Sequence, residues 1–461
     1  MSYHSTPLNY GNVVVDQFVP KTMTRVKVLK VGEFKPNFTD FEKRLLDVLD
    51  KPIGSKPLDK VLEERYAKGR KIVILVDDNT RPNIHTRAIL PILTERLMKN
   101  SVAREDIRIM VASGSHGRAK PEAIQNKILK ELYPEWKDNV LTHDSDSGNK
   151  SMGKTSRGTP ILIDEQVVDS CLVIALSDSE YHYFAGQAGT VKLFCPGVAG
   201  RETIRVNHPR MFDLEKGFVE GSRLGNTVGN PVIEDMIEIV QLMQKQMTIF
   251  CVDTIIDHGK IVYVQAGDII ECHKAATAPL RKLRVVDVDV PGDIVFVSVG
   301  DLGINLYQAG KGVHAAWNAV RHDRKGWIVL LARCEEGIGS AAYEEAMLAA
   351  KDMSVKDALK FVIQTYCSEK TFKIGNQKPP DLFRILLDVA EGDIKVVTEL
   401  EPNMLRKVYR MEALNPSKPE DVQKLLRDLL VRWKKEHPEN QNPLIYVLGD
   451  SGLLVKVKRK K

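Results

Sequence analysis

Residues Lys71–Asp78 read KIVILVDD, an unbroken apolar run ending in two acids. A run this short, apolar at odd and even positions alike, suits a strand buried on both faces of a parallel sheet. Asn79-Thr80-Arg81-Pro82 makes a turn after it, and a helical segment follows from about His85 to Lys99. The pattern then recurs. DIRIMVA at Asp106–Ala112 leads into Ser113-Gly114-Ser115-His116-Gly117, with a helix predicted over Lys120–Tyr133. Strands are predicted again at Pro160–Ile163 and Cys171–Ala175. Strand–loop–helix alternation with reactive residues at strand ends specifies a doubly wound α/β sheet, and such sheets bind ligands beyond the carboxyl ends of their strands. Asp78, Thr80, Arg81 and His116 stand at those ends. Asp78 and Asn79 also suit helix caps. Arg81, between a cap and a proline, has no capping role.

The Cys171 strand runs directly into Ser179–Arg210, SEYHYFAGQAGTVKLFCPGVAGRETIRVNHPR. Here His182, Lys192 and His208 sit among Ala185, Gly186, Ala188, Gly189, Pro196, Gly197 and Gly200. Glycines let a backbone approach a ligand closely. Histidine moves protons near neutral pH and is the commonest metal ligand. A lysine among glycines pairs with phosphate or acts as a nucleophilic amine. Read from its residues alone, the segment binds an anionic cofactor with one or two histidines at its reactive part.

Further along, Val232, Ile233, Met236, Ile239, Val240 and Met243 fall at helical spacing within Asn230–Gln244, a core-facing helix. A hairpin-like pair follows at Met247–Ile255 and Lys260–Val264. Pro279 and dense charge within His273–Val290 place a domain boundary near Leu283. The expected domains are therefore 1–283 and 284–450, with residues 451–461 as a tail able to return to the first. Asp293–Val299 reads as a buried strand, and Asp301–Lys311 leads from it into a helix ending near Val320. Tyr307 and Lys311, four apart, share a face of that helix, with Gln308 beside them. The strand Trp327–Cys334 precedes Gly337-Ile338-Gly339-Ser340-Ala341-Ala342, a G-x-G-x-x-A. A dinucleotide fingerprint needs a second strand ending in an acid about 20 residues on; Ser354–Tyr366 reads as helix instead. The glycines therefore fit a tight turn. Helices are also predicted at Pro380–Val389, Pro402–Arg410 and Lys418–His437, and strands at Ile394–Thr398 and Pro443–Leu448.

At 43% hydrophobic and 28% charged, the 461 residues hold enough apolar material for two cores. The net charge is +6, and Lys456–Lys461 (KVKRKK) supplies five of those charges. The body is thus close to neutral, with no general basic field for nucleic acid. No apolar run is long enough to span a membrane, and the first residues lack the basic start and apolar block of a signal peptide. The six cysteines, none in C-x-x-C, read as reduced, buried thiols of a cytoplasmic protein.

The Ser179–Arg210 segment resembles the signature of the lactate racemase family, the nickel-pincer-nucleotide hydroxyacid racemases. Its H-x-F-A-G, lysine, P-G-x-A-G-x-E-T-I and downstream N-H are here His182, Phe184, Ala185, Gly186, Lys192, Pro196, Gly197, Ala199, Gly200, Glu202, Thr203, Ile204, Asn207 and His208. DDNTRP, the His116 loop and Tyr307-Gln308-x-x-Lys311 match three more family motifs. Two departures bear on the substrate. Gln187–Val191 replaces a tyrosine and a glycine pair around the lysine, and no tryptophan can be placed near Phe372–Gln377.

The resemblance implies two domains, each with a mainly parallel sheet flanked by helices, and an active site in the cleft between them. It implies a nickel pincer nucleotide (a pyridinium-3,5-bisthiocarboxylic acid mononucleotide holding nickel), joined covalently to Lys192 and contacted by Asp78, Thr80, Gly186 and Gly189. His208 would be the nickel ligand, and such a soft-donor, square-planar site suits Ni(II). His116 and His182 would exchange protons on opposite faces of the substrate. Arg81 would hold the carboxylate, with Tyr307, Gln308 and Lys311 closing on the substrate and Lys311 counted among the catalytic groups. The implied reaction is racemisation or epimerisation at C2 of a 2-hydroxy acid by hydride transfer, on lactate or a larger, more polar relative. The implied partners are that small molecule and the cofactor-maturation enzymes, with no membrane or nucleic acid, while an oligomer remains compatible. Two other classes stay open: a nicotinamide-dependent 2-hydroxyacid dehydrogenase using Gly337 and Gly339, and a non-enzymatic binding protein using the basic tail.

Overall fold

A computed structural model describes every residue except Met1, Gly32, Glu33, Asn37 and 459–461. The last half of the basic KVKRKK run therefore lies outside the described residues. The chain forms two compact units. The first comprises Glu33–Met211 and Glu220–Leu283; the second comprises Met1–Gly32, Phe212–Val219 and Arg284–Lys461.

The first unit is built on six strands: β1 (Ile72–Asp77), β2 (Ile107–Ala112), β3 (Val140–Thr142), β4 (Leu172–Asp178), β5 (Ile249–Asp257) and β6 (Lys260–Gly267). Their order is β6-β5-β4-β1-β2-β3. All neighbours are parallel except the β5–β6 hairpin. Ile72, Ile74 and Val76 pack with Ile89, Leu93 and Leu97 of α1 (Ile84–Lys99). The alternate positions Val73 and Leu75 are buried on the other face. That double burial is why KIVILV carries no polar alternation.

Two sequence expectations change here. Pro160–Asp164 is a strand, but it pairs with Asn149–Lys154 in a separate antiparallel ribbon outside the main sheet. Its alternation shows why: Ile161 and Ile163 are buried while Leu162 between them is half-exposed, as in a strand with one packed face. The helix expected over Lys120–Tyr133 is broken into a short turn at Pro121–Ala123, a wide turn at Ile124–Leu129 and a new start at Tyr133. Lys130, at φ +49°, adopts a left-handed backbone that ends a helix.

The second unit holds β7 (Ile294–Ser298), β8 (Trp327–Leu331), β9 (Ile394–Val397), β10 (Glu412–Leu414) and β11 (Ile445–Leu448), with Val26–Leu29 at one edge. The order is β10-β9-β8-β7-β11-(Val26–Leu29), all parallel. Odd and even strand positions feed two cores. Val295, Val297, Ile328 and Leu330 lie in one; Ile294, Phe296, Trp327 and Val329 lie in the other. Leu8, Tyr10, Phe18, Val19 and Met23 belong to this second core. Residues 2–31 thus pack in the second unit, although the sequence reading grouped them with the first. Leu454–Val457 pairs in parallel with Val285–Val288, so the described part of the tail also stays with the second unit. Both pairings join segments remote in sequence, which periodicity cannot reveal.

All six cysteines are free and five are buried. Among the described residues, no helix is long and apolar enough to cross a membrane.

Candidate active site

In the first unit the candidate residues gather where β1, β2, β4 and β5 end. Asp78 shapes the turn after β1. Its Oδ1 accepts hydrogen bonds from the Thr80 N–H at 3.0 Å and the Thr80 hydroxyl at 2.5 Å, and its carbonyl accepts from the Arg81 N–H at 3.2 Å. Its Oδ2 lies 2.8 Å from His116 Nδ1. Burial alone would raise the Asp78 carboxyl, but the His116 hydrogen bond and charge, with help from Thr80 and Arg81, hold it below the usual carboxylate range. An ionised Asp78 turns the His116 N–H toward itself and leaves Nε2 of an exposed ring facing outward. Asp78, expected with Thr80 on the cofactor, is thus engaged with both Thr80 and His116.

The His116 loop is pinned from below. The Gly114 N–H donates to the Gly197 carbonyl at 2.8 Å. Buried His143, which the sequence reading passed over, lies 2.9 Å from Asp164 Oδ2 and 3.0 Å from the Ala199 carbonyl. Strand end and P-G-V-A-G loop are therefore one framework.

Tyr181-His182 pairs with Gly186-Gln187 as a tight hairpin, and the Ala185 N–H donates to His182 Nδ1 at 3.3 Å. Phe184, at the tip, joins three candidates. Its ring centroid lies 4.4 Å from that of His182 and 5.5 Å from that of His208, and Lys192 Nζ stands 5.4 Å over it. Lys192 is half-buried on the short turn Thr190–Leu193. His208 follows α2 (Arg201–Asn207), whose last residue donates from Nδ2 to Asp235 Oδ2 at 2.8 Å and so ties it to α3 (Pro231–Gln244). His208 is 2% exposed. Burial, then the Lys192 charge, pushes its pKa down to about 3 against a backbone hydrogen bond to Ile204. It is a neutral imidazole, the form that ligates metals.

The glycines serve the chain's own packing. A Cβ on Gly186, at φ +80°, would lie 2.0 Å from the Asn226 carbonyl oxygen; one on Gly189, at φ +82°, would lie 2.8 Å from the Asp178 carbonyl oxygen. Gln187 is held by the neighbouring helix. It is buried, its amide nitrogen donating to the His273 carbonyl at 3.0 Å and its oxygen accepting from the Thr277 hydroxyl at 3.3 Å, on α4 (Ile269–Arg284).

The acids around Arg81 were not singled out from the sequence, although VDD, LSDSE and VDT show them plainly. Arg81 Nη2 lies 3.3 Å from Glu180 Oε1. Glu180 first, then Asp77, Asp78 and Asp178, raise the guanidinium pKa against desolvation. Burial pushes Asp77 and Asp253 up to about 7 and Asp178 well above the carboxylate range. Asp253 accepts from the Ser177 hydroxyl at 2.7 Å and the Ser179 hydroxyl at 2.8 Å. At neutral pH these strand ends hold protons as well as negative charge.

In the second unit, Tyr307, Gln308 and Lys311 lie on α5 (Leu306–Trp317), as expected. Asn305 caps it, accepting from the Gln308 N–H at 3.0 Å. The Gly337 and Ile338 carbonyls accept from the Leu306 and Tyr307 N–H groups at 3.0 and 2.9 Å. Gly339, at φ +79°, presses on Asn305: a Cβ there would sit 2.2 Å from Asn305 Cγ. The G-x-G-x-x-A loop thus caps a helix of its own unit. Past α6 (Ala341–Ala349) the chain forms α7 (Val355–Tyr366), not a second strand, so the dinucleotide reading has no structural basis. The Tyr307 hydroxyl accepts from Gln377 Nε2 at 3.1 Å. The burial of Lys378 and Asp381 on α8 (Lys378–Asp388) was not read from the sequence; charged residues in a polar-looking segment give no sign of burial.

Among the described residues, no group of three or more His, Cys, Asp or Glu side chains could hold a metal ion. A metal at His208 would take its other donors from a cofactor.

Residues 10–218 match the profile of the lactate racemase N-terminal domain, and residues 288–416 that of the lactate racemase C-terminal domain. The lactate racemase of Thermoanaerobacterium thermosaccharolyticum is 29% identical over 328 residues, 70% of this chain and 72% of that protein. The lactate racemase of Lactiplantibacillus plantarum is 28% identical over 367 residues, 78% of this chain and 81% of that protein. Among solved structures, the lactate racemase apoprotein of T. thermosaccharolyticum superposes with a TM-score of 0.81 at 23% identity, covering 98% of this chain and 100% of that one. A Thermotoga maritima protein superposes at 0.64 and 15% identity, covering 92% and 100%; at such identities the likeness is one of fold. With both family domains matched in order along most of its length, the chain belongs to the lactate racemase family, a family of isomerases.

Proposed function

We propose that this protein racemises or epimerises a 2-hydroxy acid at C2, using a nickel pincer nucleotide attached to Lys192. The observation that carries the reading is the grouping of His182, Lys192 and neutral, buried His208 around the Phe184 ring. The residues suit that group. Lys192 offers an amine for covalent attachment, and His208 offers one uncharged nitrogen donor beside it. When bound, the group supplies a hydride acceptor, which carbon-bound C2 hydrogen requires because it is poorly acidic beside a carboxylate.

The chain's own residues move protons and hold the substrate. His116 Nε2 takes the hydroxyl proton as C2 is oxidised, and Asp78 stabilises the imidazolium that results. The 2-oxo acid so formed is planar at C2, so its configuration is erased. His182 serves the opposite face, each ring acting as base in one direction and acid in the other. Arg81 binds the substrate carboxylate, for which a planar guanidinium is well shaped. Tyr307, Gln308 and Lys311 are the second unit's substrate contacts.

The test is to produce the protein together with the cofactor-maturation enzymes, then measure intact mass, nickel content and interconversion of lactate enantiomers. A mass increase with about one nickel per chain and racemisation are expected. An unmodified mass and no nickel would overturn the cofactor assignment. Reduction of added NAD by the hydroxy acid would support the dehydrogenase instead.

A further inference from the structure

The chain just before Lys192 takes a backbone that one of its residues does not favour. Gly189 and Thr190 have φ of +82° and +41°. A glycine adopts such angles freely, whereas a β-branched side chain crowds the following carbonyl oxygen and is seldom found there. Thr190 opens the turn Thr190–Leu193 that carries Lys192. The Lys192 N–H donates to the Gly189 carbonyl at 2.9 Å, and the Lys192 carbonyl accepts from the Gly197 N–H at 3.0 Å. With the turn tied at both places, the direction of the Lys192 side chain depends on the backbone at 190.

Two hydrogen bonds hold Thr190 there. Its N–H donates to Ser177 Oγ at 2.5 Å, and the Ser177 hydroxyl donates to Asp253 Oδ1 at 2.7 Å. Its own hydroxyl lies 2.7 Å from Nδ1 of His273, on α4. Thr190, Ser177 and Asp253 are fully buried and His273 is 3% exposed. Burial pushes the His273 pKa down to about 4, so the ring is neutral. The Gln187 amide nitrogen, oriented by its bond to the His273 carbonyl, lies 3.4 Å from the same Nδ1. Nδ1 thus faces two donors and is the accepting nitrogen, which places the ring proton on Nε2. Among the described residues, Nε2 has no hydrogen-bond partner. An imidazole left half-satisfied is a costly way to fill a core, and its satisfied half faces Thr190.

We propose that His273 is a positioning residue for Lys192: by accepting from the Thr190 hydroxyl it keeps residue 190 left-handed, and so keeps the Lys192 amine over the Phe184 ring. This rests on the attachment role given above to Lys192. Without the bond, the backbone at 190 relaxes toward negative φ, and the turn aims the amine elsewhere. The Gln187–Val191 stretch is then a matched set with α4, since Gln187 and Thr190 both address His273.

The experiment compares Thr190→Val, His273→Ala and the double variant Thr190→Gly/His273→Ala with the full-length parent, each shown to be folded by thermal melting. Two quantities are read. In protein made without the maturation enzymes, the rate of Lys192 acetylation by acetic anhydride is followed by peptide mass spectrometry, with exposed Lys260 as reference. In protein made with them, the fraction of chains carrying the adduct is read from intact mass. Valine keeps the shape of threonine but cannot donate, and alanine cannot accept. Either should speed Lys192 acetylation by about tenfold as the amine leaves the ring, and lower the adduct fraction by a similar factor, the scale of one residue's backbone strain. Glycine holds the left-handed backbone without help, so the double variant should return both readouts to parental values. A merely structural role would instead leave the double variant at least as impaired as His273→Ala. Parental acetylation in Thr190→Val and His273→Ala overturns the proposal, as does a double variant that behaves like His273→Ala. If His273→Ala does not fold, Thr190→Val, which removes only the hydroxyl, carries the test. A parent without adduct removes the attachment reading, and the acetylation rates still decide whether His273 sets the Lys192 amine.

Discussion

His116 and Asp78 work as a pair, and the pair can be separated. Asp78→Asn keeps a side chain of the same shape but removes the charge that orients His116 and stabilises its protonated form. Racemisation should fall by about tenfold or more in both directions, while the covalent adduct and nickel content stay at parental levels. His116→Ala and His182→Ala should each cost about 10²–10⁴-fold, the usual range for a positioned acid–base group. Both directions should suffer to similar extents, since every turnover uses both rings. A His116→Ala enzyme near the parent rate would return His116 to the status of a loop residue. Attachment and ligation are chemically distinct as well. Lys192→Ala should lose the adduct by intact mass, whereas His208→Ala should keep it and bind less nickel; equal nickel in variant and parent removes His208 from the ligand set. The grouping of His182, Lys192 and His208 could be picked out because histidine and lysine among glycines are rare company. The work of Asp78 was hidden, because a carboxylate at a strand end looks the same whether it faces a ligand or a neighbouring histidine. Lys378 was hidden for the opposite reason: its segment reads as surface, and only tertiary packing buries it.

At the scale of elements, strands were easier to read than helices. Runs such as Ile72–Asp77 and Ile294–Ser298 are apolar throughout because both faces are buried, and no other local pattern competes with them. The helix over Lys120–Tyr133 failed because a left-handed residue at 130 carries no sequence mark when it is a lysine. Two predictions belong here. Gly339→Ala puts a methyl group into Asn305 and forces an L-residue to a positive φ, so it should undo the α5 cap. Cap loss alone costs about 1 kcal/mol, with about 1–2 kcal/mol more from the backbone. A lower melting temperature should result, and an unchanged one would show that the loop simply relaxes. The other concerns the strand ends. A carboxyl whose pKa is raised by folding holds its proton more tightly in the folded chain. Asp253, pushed up to about 7, therefore adds stability that is fully present below about pH 4 and lost as pH rises through 7. The parent should melt at lower temperature at pH 8 than at pH 5, and Asp253→Asn, which can keep the serine contacts, should flatten that slope. A slope identical in parent and variant would place the titration elsewhere.

At the scale of the whole molecule, residues 2–31 group with the second unit, and Leu8, Tyr10, Val15, Phe18, Val19 and Met23 lie in one of its cores. Deleting residues 2–31 should therefore destabilise the second unit while sparing the first. Hydrogen exchange should show faster exchange in Ile445–Leu448, the neighbour of the lost edge strand, with β1 and β4 protected as in the parent. Loss of protection in β1 and β4 alone would reverse the assignment. Such a deletion also bears on how the chain is made. Thr24 N–H bonds to Asn442 Oδ1 across 418 positions of sequence, and Val26–Leu29 waits for Ile445–Leu448 before it has a partner. At about 5–20 residues per second, the ribosome extrudes this early strand tens of seconds before its mate. In that interval the first unit can complete itself as an inserted domain, while Val26–Leu29 has no strand to pair with. The geometry of one edge strand thus sets a schedule: the unit that begins first is the one that finishes last.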